Sequence, residues 1–104
     1  MYLNYDKLRT GDRLVRTKGG IFTKHHALYM GLHHGEYWVA ENQIHVGVRY
    51  ITLNEFLTGG NLVRVEYYNF NWQQQNEVIN RVNIKLGLKY FLPKYNCEHF
   101  VNDI

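Results

Sequence analysis

Cys97 is the only cysteine in a chain that also has six histidines, and these are the residue types best suited to nucleophilic catalysis. A cysteine thiolate is a strong nucleophile, and a nearby imidazole can take the proton that the thiol must lose. Because Asn96 is a favoured helix N-cap, Cys97 is predicted to begin a terminal helix, whose dipole favours the thiolate by about 0.3 to 1 kcal/mol. A neighbouring base is therefore also required. Position alone leaves two readings: a reactive thiol, or the inert buried cysteine that is the commoner case.

The composition predicts one folded domain. The chain has 104 residues, of which 45% are hydrophobic and 20% charged, with a single proline. These values lie outside the range of disordered chains and suffice for one core, so we expect a single domain over residues 1–104 with one site. The net charge of +3 comes from scattered lysines and arginines, a pattern that does not favour nucleic acid binding.

Membrane and compartment signals are weak. No segment reaches the roughly 20 apolar residues that a spanning helix needs, so any membrane contact is expected to be peripheral. A lone cysteine cannot form an intrachain disulfide, and residues 1–7 lack the apolar stretch of a signal peptide. These features predict a cytoplasmic location.

The hydrophobic pattern predicts an α+β fold, in which a small antiparallel sheet packs against helices. Alternation and β-branched residues between turn signals predict strands over Arg13–Lys18, Lys24–Met30, Glu36–Gln43, Val46–Ile51 and Leu62–Tyr68. The segment from Gly31 to Gly35 is the predicted connection between the second and third strands.

Three helices are predicted beside the sheet. Thr52 and Glu55 have the spacing of a capping box, so a short helix should start there and end at Gly59 and Gly60. Asn71 is predicted to cap a second helix, with Gly87 as its C-cap. Its predicted apolar face consists of Trp72, Val78, Ile79, Val82 and Leu86. The aromatic residues around its start are predicted to form core with an exposed rim; they are Tyr67, Tyr68, Phe70 and Trp72.

The hexapeptide from Asn96 to Val101 is identical to the signature of the lecithin:retinol acyltransferase-like family, and the chain resembles that family elsewhere in the same order. Residues 11–15 resemble its early Gly-Asp turn and strand. The segment from His25 to Gly31 resembles its histidine box, and Tyr90 resembles the aromatic residue ahead of its cysteine. The similarity spans residues 11 to 101.

This resemblance implies a circularly permuted papain-like, NlpC-type thiol hydrolase fold, in which the histidine precedes the cysteine. It places the nucleophile on Cys97 and the general base on His25. The family's third polar residue aligns with Glu41, with Asn42 as the alternative. A carboxylate there would hold the imidazole as aspartate does in serine-protease triads. No metal or other cofactor is expected.

Three functions remain open. The first is a thiol hydrolase or acyltransferase that forms a thioester on Cys97 and acts on ester or amide acyl groups, lipids included. The second is an NlpC-type peptidase or amidase with the same residues, and the third is a binding module that keeps the fold without turnover. Zinc binding is disfavoured because Cys97 and His99 diverge on a helix. The remaining histidines are predicted to be solvated or to serve in packing; they are His26, His33, His34, His45 and His99.

Overall fold

The computed structural model describes residues 3–18, 20–87 and 97–104, and within them a five-stranded sheet carries helices on both faces. The elements are β1 Arg13–Lys18, β2 Gly20–His33, β3 Glu36–Gln43, β4 Gly47–Thr52, α1 Leu53–Thr58, β5 Leu62–Glu66, α2 Trp72–Lys85 and α3 Cys97–Asp103. The predictions for Tyr90, for Asn96 and for the side chain of His99 lie outside the described part of the chain.

The sheet has the strand order β4-β3-β2-β1-β5, and every neighbouring pair is antiparallel. The predicted α+β class with a small antiparallel sheet is therefore confirmed. β2 lies at the centre and is the longest strand, with 14 residues. Side chains of this strand are consequently covered by helices on either face.

β2 is longer than the predicted Lys24–Met30, because Gly31 does not end it. The register with β3 shifts between Tyr29 and Gly31, and Gly31 has a φ of +109°. Such a bulge adds one residue to one strand while the pairing continues. The turn that follows contains only His34 and Gly35, both with positive φ, as two-residue hairpin turns require.

Two other strand boundaries differ from the prediction. β4 begins at Gly47 instead of Val46, since the preceding turn includes His45 in the left-handed region. β5 stops at Glu66, short of the predicted Tyr68. There the backbone N–H of Tyr68 donates to a carboxylate oxygen of Asp12 at 2.9 Å, and the chain leaves the sheet. This side-chain bond substitutes for a strand partner.

The predicted N-caps of α1 and α2 are present. The hydroxyl of Thr52 accepts a bond from the backbone N–H of Glu55 at 3.1 Å. At α2 the caps are reciprocal: Asn71 accepts from the backbone of Gln74, whose side chain accepts from the backbone of Asn71. Gly87, with a φ of +85°, follows the end of α2. Its N–H donates to the carbonyl of Val48, which ties the helix end to the sheet.

The core is divided by the sheet into two clusters. One face of the sheet packs against α1, with Leu14, Val39 and Phe56 fully buried. The other face packs against α2 and α3, where Val82 and Phe100 are fully buried. Alternating residues of one strand thus enter different clusters.

Fewer residues of the predicted apolar face of α2 are buried than expected. Val78 and Val82 are buried, but Trp72 is 77% exposed and Leu86 is 43% exposed. Trp72 is the first residue of the helix and Leu86 is its C-cap, whereas the buried residues lie in the middle. Trp72 therefore belongs to the exposed rim of the aromatic group, not to the core. No helix within residues 3–18, 20–87 and 97–104 is long and apolar enough to cross a membrane.

Candidate active site

Cys97 is the first residue of α3 and is 5% exposed. Its Sγ lies 3.8 Å from the carbonyl oxygen of Lys24. Burial raises the pKa of the thiol, and the ring of His25 and the nearby backbone N–H of His26 lower it. The pairing of β2 with β3 begins only at Ala27, so this stretch of the β2 edge is not occupied by β3. The start of α3 therefore lies against a stretch of β2 that β3 does not cover, and Lys24 in this stretch provides the sulfur with a backbone contact.

His25 lies on β2 opposite Arg16 of β1, and its side chain is fully buried. The imidazole packs on the α1 side of the sheet against Phe56, with 5.7 Å between the ring centroids. His26 follows it and points to the other face, where its ring lies 4.0 Å from the carboxylate of Glu98. Strand alternation thus sends only one of the two adjacent histidines towards Phe56.

Glu41 holds the ring of His25. Its Oε1 lies 2.8 Å from Nε2 of His25, and the Glu41 side chain is 1% exposed. The pairing of β2 with β3 explains this contact, because Glu41 is opposite Ala27 and so shares a face with His25 two residues earlier. The second oxygen, Oε2, accepts from Nε of Arg49 at 2.9 Å. Arg49 is opposite Glu41 on β4.

The other ring nitrogen of His25 remains for the sulfur. Nδ1 is buried and has no hydrogen-bond partner among the described residues. When Nε2 of a neutral ring donates to Glu41, Nδ1 has a free lone pair and can accept a proton. Burial lowers the pKa of His25, but the nearby thiol of Cys97 raises it. The chain thus aligns a carboxylate, an imidazole and a thiol in that order.

The electrostatics of this alignment favour charge separation. Burial alone would raise the pKa of the Cys97 thiol, but the His25 ring and the His26 N–H outweigh it, so the pKa of Cys97 is lowered. Burial opposes the charged form of His25 as well, yet Cys97 and Glu41 raise its pKa overall. The pKa of Glu41 is lowered despite burial, because His25 and Arg49 stabilise its anion. The shifts of Cys97 and His25 both act in favour of a thiolate that faces an imidazolium.

Of the two candidates for the third residue, Glu41 is the one that contacts His25. Asn42 is fully buried, but as the next residue on β3 it points to the opposite face of the sheet. His33, His34 and His45 are exposed, as expected. His26 is only 6% exposed, which agrees with a packing role for its side chain. The sequence does not predict the proximity of its backbone N–H to the sulfur.

Two arginines near the site are not predicted by any motif in the sequence. Arg49 binds Glu41, and Arg16 lies beside His25 with 7% of its surface exposed. Both follow from strand pairing, since each is directly opposite a site residue on a neighbouring strand. The alternation of β1 and β4 places these positions on the same face as the site, but only the register identifies their partners.

The sheet with its packed helices, the histidine on a central strand and the later cysteine at a helix start define the class of permuted papain-like proteins. The model of the family described as "permuted papain-like amidase enzyme, YaeF/YiiX, C92 family" matches residues 8–104, and the chain belongs to that family. The expectation of a permuted papain-like fold is thereby confirmed. Searches of the curated proteins and of the solved structures find no match.

Proposed function

We propose that the protein is a cysteine-dependent amidase in which Cys97 is the nucleophile, His25 the general base and acid, and Glu41 the residue that orients His25. The observation that carries this proposal is the buried contact of 2.8 Å between Glu41 and His25, with Nδ1 of the ring left for the sulfur. Membership of a family of papain-like amidases supports the reaction class.

The reaction proceeds in two halves. In the first, the Cys97 proton resides on Nδ1 of His25, and the thiolate attacks the carbonyl carbon of the substrate. The tetrahedral intermediate collapses as His25 gives that proton to the departing amine, which leaves a thioester on the sulfur. In the second, His25 takes a proton from water, whose oxygen attacks the thioester. The carboxylic acid is released, and the proton returns to the Cys97–His25 pair.

Glu41 acts on the imidazole and not on the substrate. The hydrogen bond to Nε2 fixes the tautomer and the orientation of His25, and its negative charge stabilises the imidazolium. Arg49 holds the second oxygen of Glu41 and so limits rotation of the carboxylate. The carboxylate is not a proton acceptor in this scheme, since its pKa is lowered by both partners.

Acyl transfer is the second candidate function. The thioester on Cys97 would then be taken by an amine or alcohol instead of water, and lipid esters would be among the acyl donors. The identity of residues 96–101 with the lecithin:retinol acyltransferase-like signature favours this candidate. It shares its first half-reaction with the amidase, so the two differ in the acyl donor and the acceptor.

The proposal extends to the setting of the enzyme. A thiolate nucleophile is best preserved in a reducing compartment, and the chain has one cysteine, so we place the activity in the cytoplasm. The substrate is a small molecule or lipid with an acyl group, neither nucleic acid nor metal is needed, and residues 1–104 act as one domain. The match of the family model to residues 8–104 supports the single-domain arrangement.

The direct test is detection of the acyl-enzyme. The protein is incubated with an activated acyl ester, and the intact mass is followed with time. One acyl adduct is expected, and peptide mapping should assign it to Cys97, because the chain has no other cysteine. The variant Cys97→Ala should form none. A protein that is labelled no faster than free cysteine would refute catalysis and leave the non-catalytic binding module as the function.

A panel of acyl donors then separates the two enzymatic candidates. Matched amide and ester substrates with the same acyl group, together with phospholipid vesicles, are compared for product release. Release of a free acid from amides supports the amidase. Transfer of the acyl group to an added amine or alcohol at the expense of free acid, with esters as the better donors, would replace it with the acyltransferase.

A further inference from the structure

Arg16 is a buried cation beside the proposed catalytic residues. It is 7% exposed and lies on β1 directly opposite His25. Its guanidinium is 5.0 Å from the ring centroid of Phe56, the same ring against which His25 packs. Arg16 and His25 therefore share one aromatic support from α1.

The charge of Arg16 is held by neutral groups. Nη1 donates to the carbonyl oxygens of Thr17 and Gly59, at 2.8 and 3.0 Å. Nε is buried and has no hydrogen-bond partner, and none of the ion pairs between described residues involves Arg16. A buried cation without a carboxylate is costly, so this arrangement is a poor device for stability alone.

Gly59 provides the space that this guanidinium occupies. A Cβ at Gly59 would lie 2.5 Å from Nη2 and 2.6 Å from Cζ of Arg16. The φ of Gly59 is −80°, a conformation open to any residue. The glycine is thus required by the neighbouring side chain and not by its own backbone, and its replacement would displace the guanidinium selectively.

The field of Arg16 acts on the site. Although burial lowers the pKa of Arg16, Glu41 and Cys97 counteract that effect, and a guanidinium keeps its proton in proteins. Glu41 is already bound by His25 and Arg49. Both anionic groups of the site therefore experience the positive charge of Arg16, Glu41 more strongly than the sulfur.

Other charged groups of the described residues also lie around Cys97. Lys18 of β1 also favours the anionic sulfur. On α3, Glu98 follows Cys97 but is largely exposed and lies 4.0 Å from the His26 ring. The only titratable residue of α1, Glu55, is exposed and bonded to Thr52.

We propose that Arg16 is a positioning residue of this active site: held by Gly59 and Phe56 beside His25, its buried charge stabilises the anionic forms of Glu41 and Cys97. This inference rests on the proposed function and adds a residue to it. In this role Arg16 acts through Glu41 and Cys97 and not through the substrate. An alternative, purely structural role would be to connect β1 to the loop after α1 through the two carbonyl bonds.

The test measures the pKa of Cys97 without any substrate. The rate of alkylation by iodoacetamide is followed against pH in the full-length wild type and in three variants, with thiolate ultraviolet absorbance as a second readout. Arg16→Met removes the charge and retains most of the volume. It should raise the apparent pKa of Cys97 by about one unit, so alkylation below that pKa slows roughly tenfold. Arg16→Lys retains the charge and should recover most of the loss.

Gly59→Ala supplies an independent perturbation. Its added methyl group should displace the guanidinium and shift the profile in the same direction as Arg16→Met, by a smaller amount. In the double variant Arg16→Met/Gly59→Ala the methyl group has nothing to displace, so its effect should disappear. Arg64→Met is the matched control. Arg64 is an exposed arginine of β5 paired with Glu66, and its loss should leave the profile unchanged.

The outcomes discriminate clearly. An unchanged Cys97 profile in folded Arg16→Met, or a loss that Arg16→Lys does not recover, overturns the inference and leaves Arg16 as a structural tie. If Arg16→Met does not fold, Gly59→Ala decides: an unshifted profile in a folded Gly59→Ala protein also overturns it. If Cys97 of the wild type forms no acyl adduct, the proposed function is refuted instead. The pKa of Cys97 is measured without a substrate, so the role of Arg16 and the proposed function can fail independently.

Discussion

Glu41 and His25 are 16 residues apart in the chain, yet Oε1 of one lies 2.8 Å from Nε2 of the other inside the sheet. Neither side chain has more than 1% of its surface exposed. In a medium that water does not reach, such a contact is stronger than on a surface, and the loss of one partner leaves the other unpaired. The pair is therefore the part of the site that should be most sensitive to substitution.

Replacing Glu41 with glutamine should abolish most of the activity while preserving the shape of the side chain. The neutral amide cannot stabilise the imidazolium, so the pKa of His25 should fall and the pKa of Cys97 should rise. By analogy with triads that lose their carboxylate, we expect turnover to fall by about 10² to 10⁴-fold. Hydrolysis of the best amide substrate at neutral pH measures this effect.

Two controls accompany that substitution. Glu36→Gln alters an exposed glutamate on the same strand and should leave the rate unchanged. Asn42→Ser should lower the free energy of unfolding, since Asn42 is fully buried, but retain the pH profile of Cys97 alkylation. A greater loss of activity in folded Asn42→Ser than in Glu41→Gln would transfer the third role to Asn42.

The pH dependence of alkylation should reveal the ion pair. The pKa of Cys97 is lowered and that of His25 is raised, so the thiolate forms below the ordinary thiol value of about 8.5. The imidazolium survives above the ordinary histidine value of about 6.5. The alkylation rate should therefore rise with an apparent pKa well below that of free cysteine. Turnover needs both the thiolate and the imidazolium, so its rate should show a bell-shaped dependence on pH. A single rise near the pKa of free cysteine would contradict the ion pair.

Resemblance and alternation together predict Cys97, His25 and Glu41 as candidate site residues, because each lies in a short local motif or at the end of a predicted strand. They could not identify Arg16 or Arg49, which depend on how strands pair. Register is set by the whole sheet, and a bulge such as that at Gly31 shifts it without a local signal beyond one glycine.

The helices also combine features that the sequence predicts with features that it does not. Caps are local interactions between residues three positions apart, so those at Thr52 and Asn71 could be read from the sequence. Burial is not local. Trp72 belongs to the predicted apolar face with Val78 and Val82, but it is the first residue of α2 and remains exposed.

Alanine substitutions of the adjacent His25 and His26 should affect acyl-adduct formation very differently. His25→Ala removes the base and should suppress acyl-adduct formation on Cys97 by about 10²-fold or more. His26→Ala should have little effect, because the contact of His26 with the sulfur comes from its backbone N–H, which alanine retains. Intact-mass kinetics with an activated ester compare the two. Equal suppression in both folded variants would show that the histidine register is misassigned.

Arg49 should contribute modestly to stability, and in a pH-dependent manner. Because the pKa of Glu41 is lowered on folding, the ionised Glu41 contributes to the free energy of unfolding above its unfolded-state pKa. That contribution is lost as pH falls through its folded-state pKa. Arg49→Met removes one of the two partners. Because the arginine side chain is 41% exposed, we expect a loss of only about 0.2 to 1 kcal/mol at neutral pH. Urea unfolding at several pH values should show this difference shrinking towards acid, and a difference that grows there would contradict the assignment.

Phe56 and Phe100 provide a matched test of whether α1 serves the site or only the core. Both are fully buried, on opposite faces of the sheet, so replacing either with leucine should cost about 1 to 3 kcal/mol of unfolding free energy. Only Phe56 supports the ring of His25. Phe56→Leu should therefore shift the pH profile of Cys97 alkylation, whereas Phe100→Leu should lower stability alone. Identical profiles in the two folded variants would mean that His25 is held by Glu41 without help from α1.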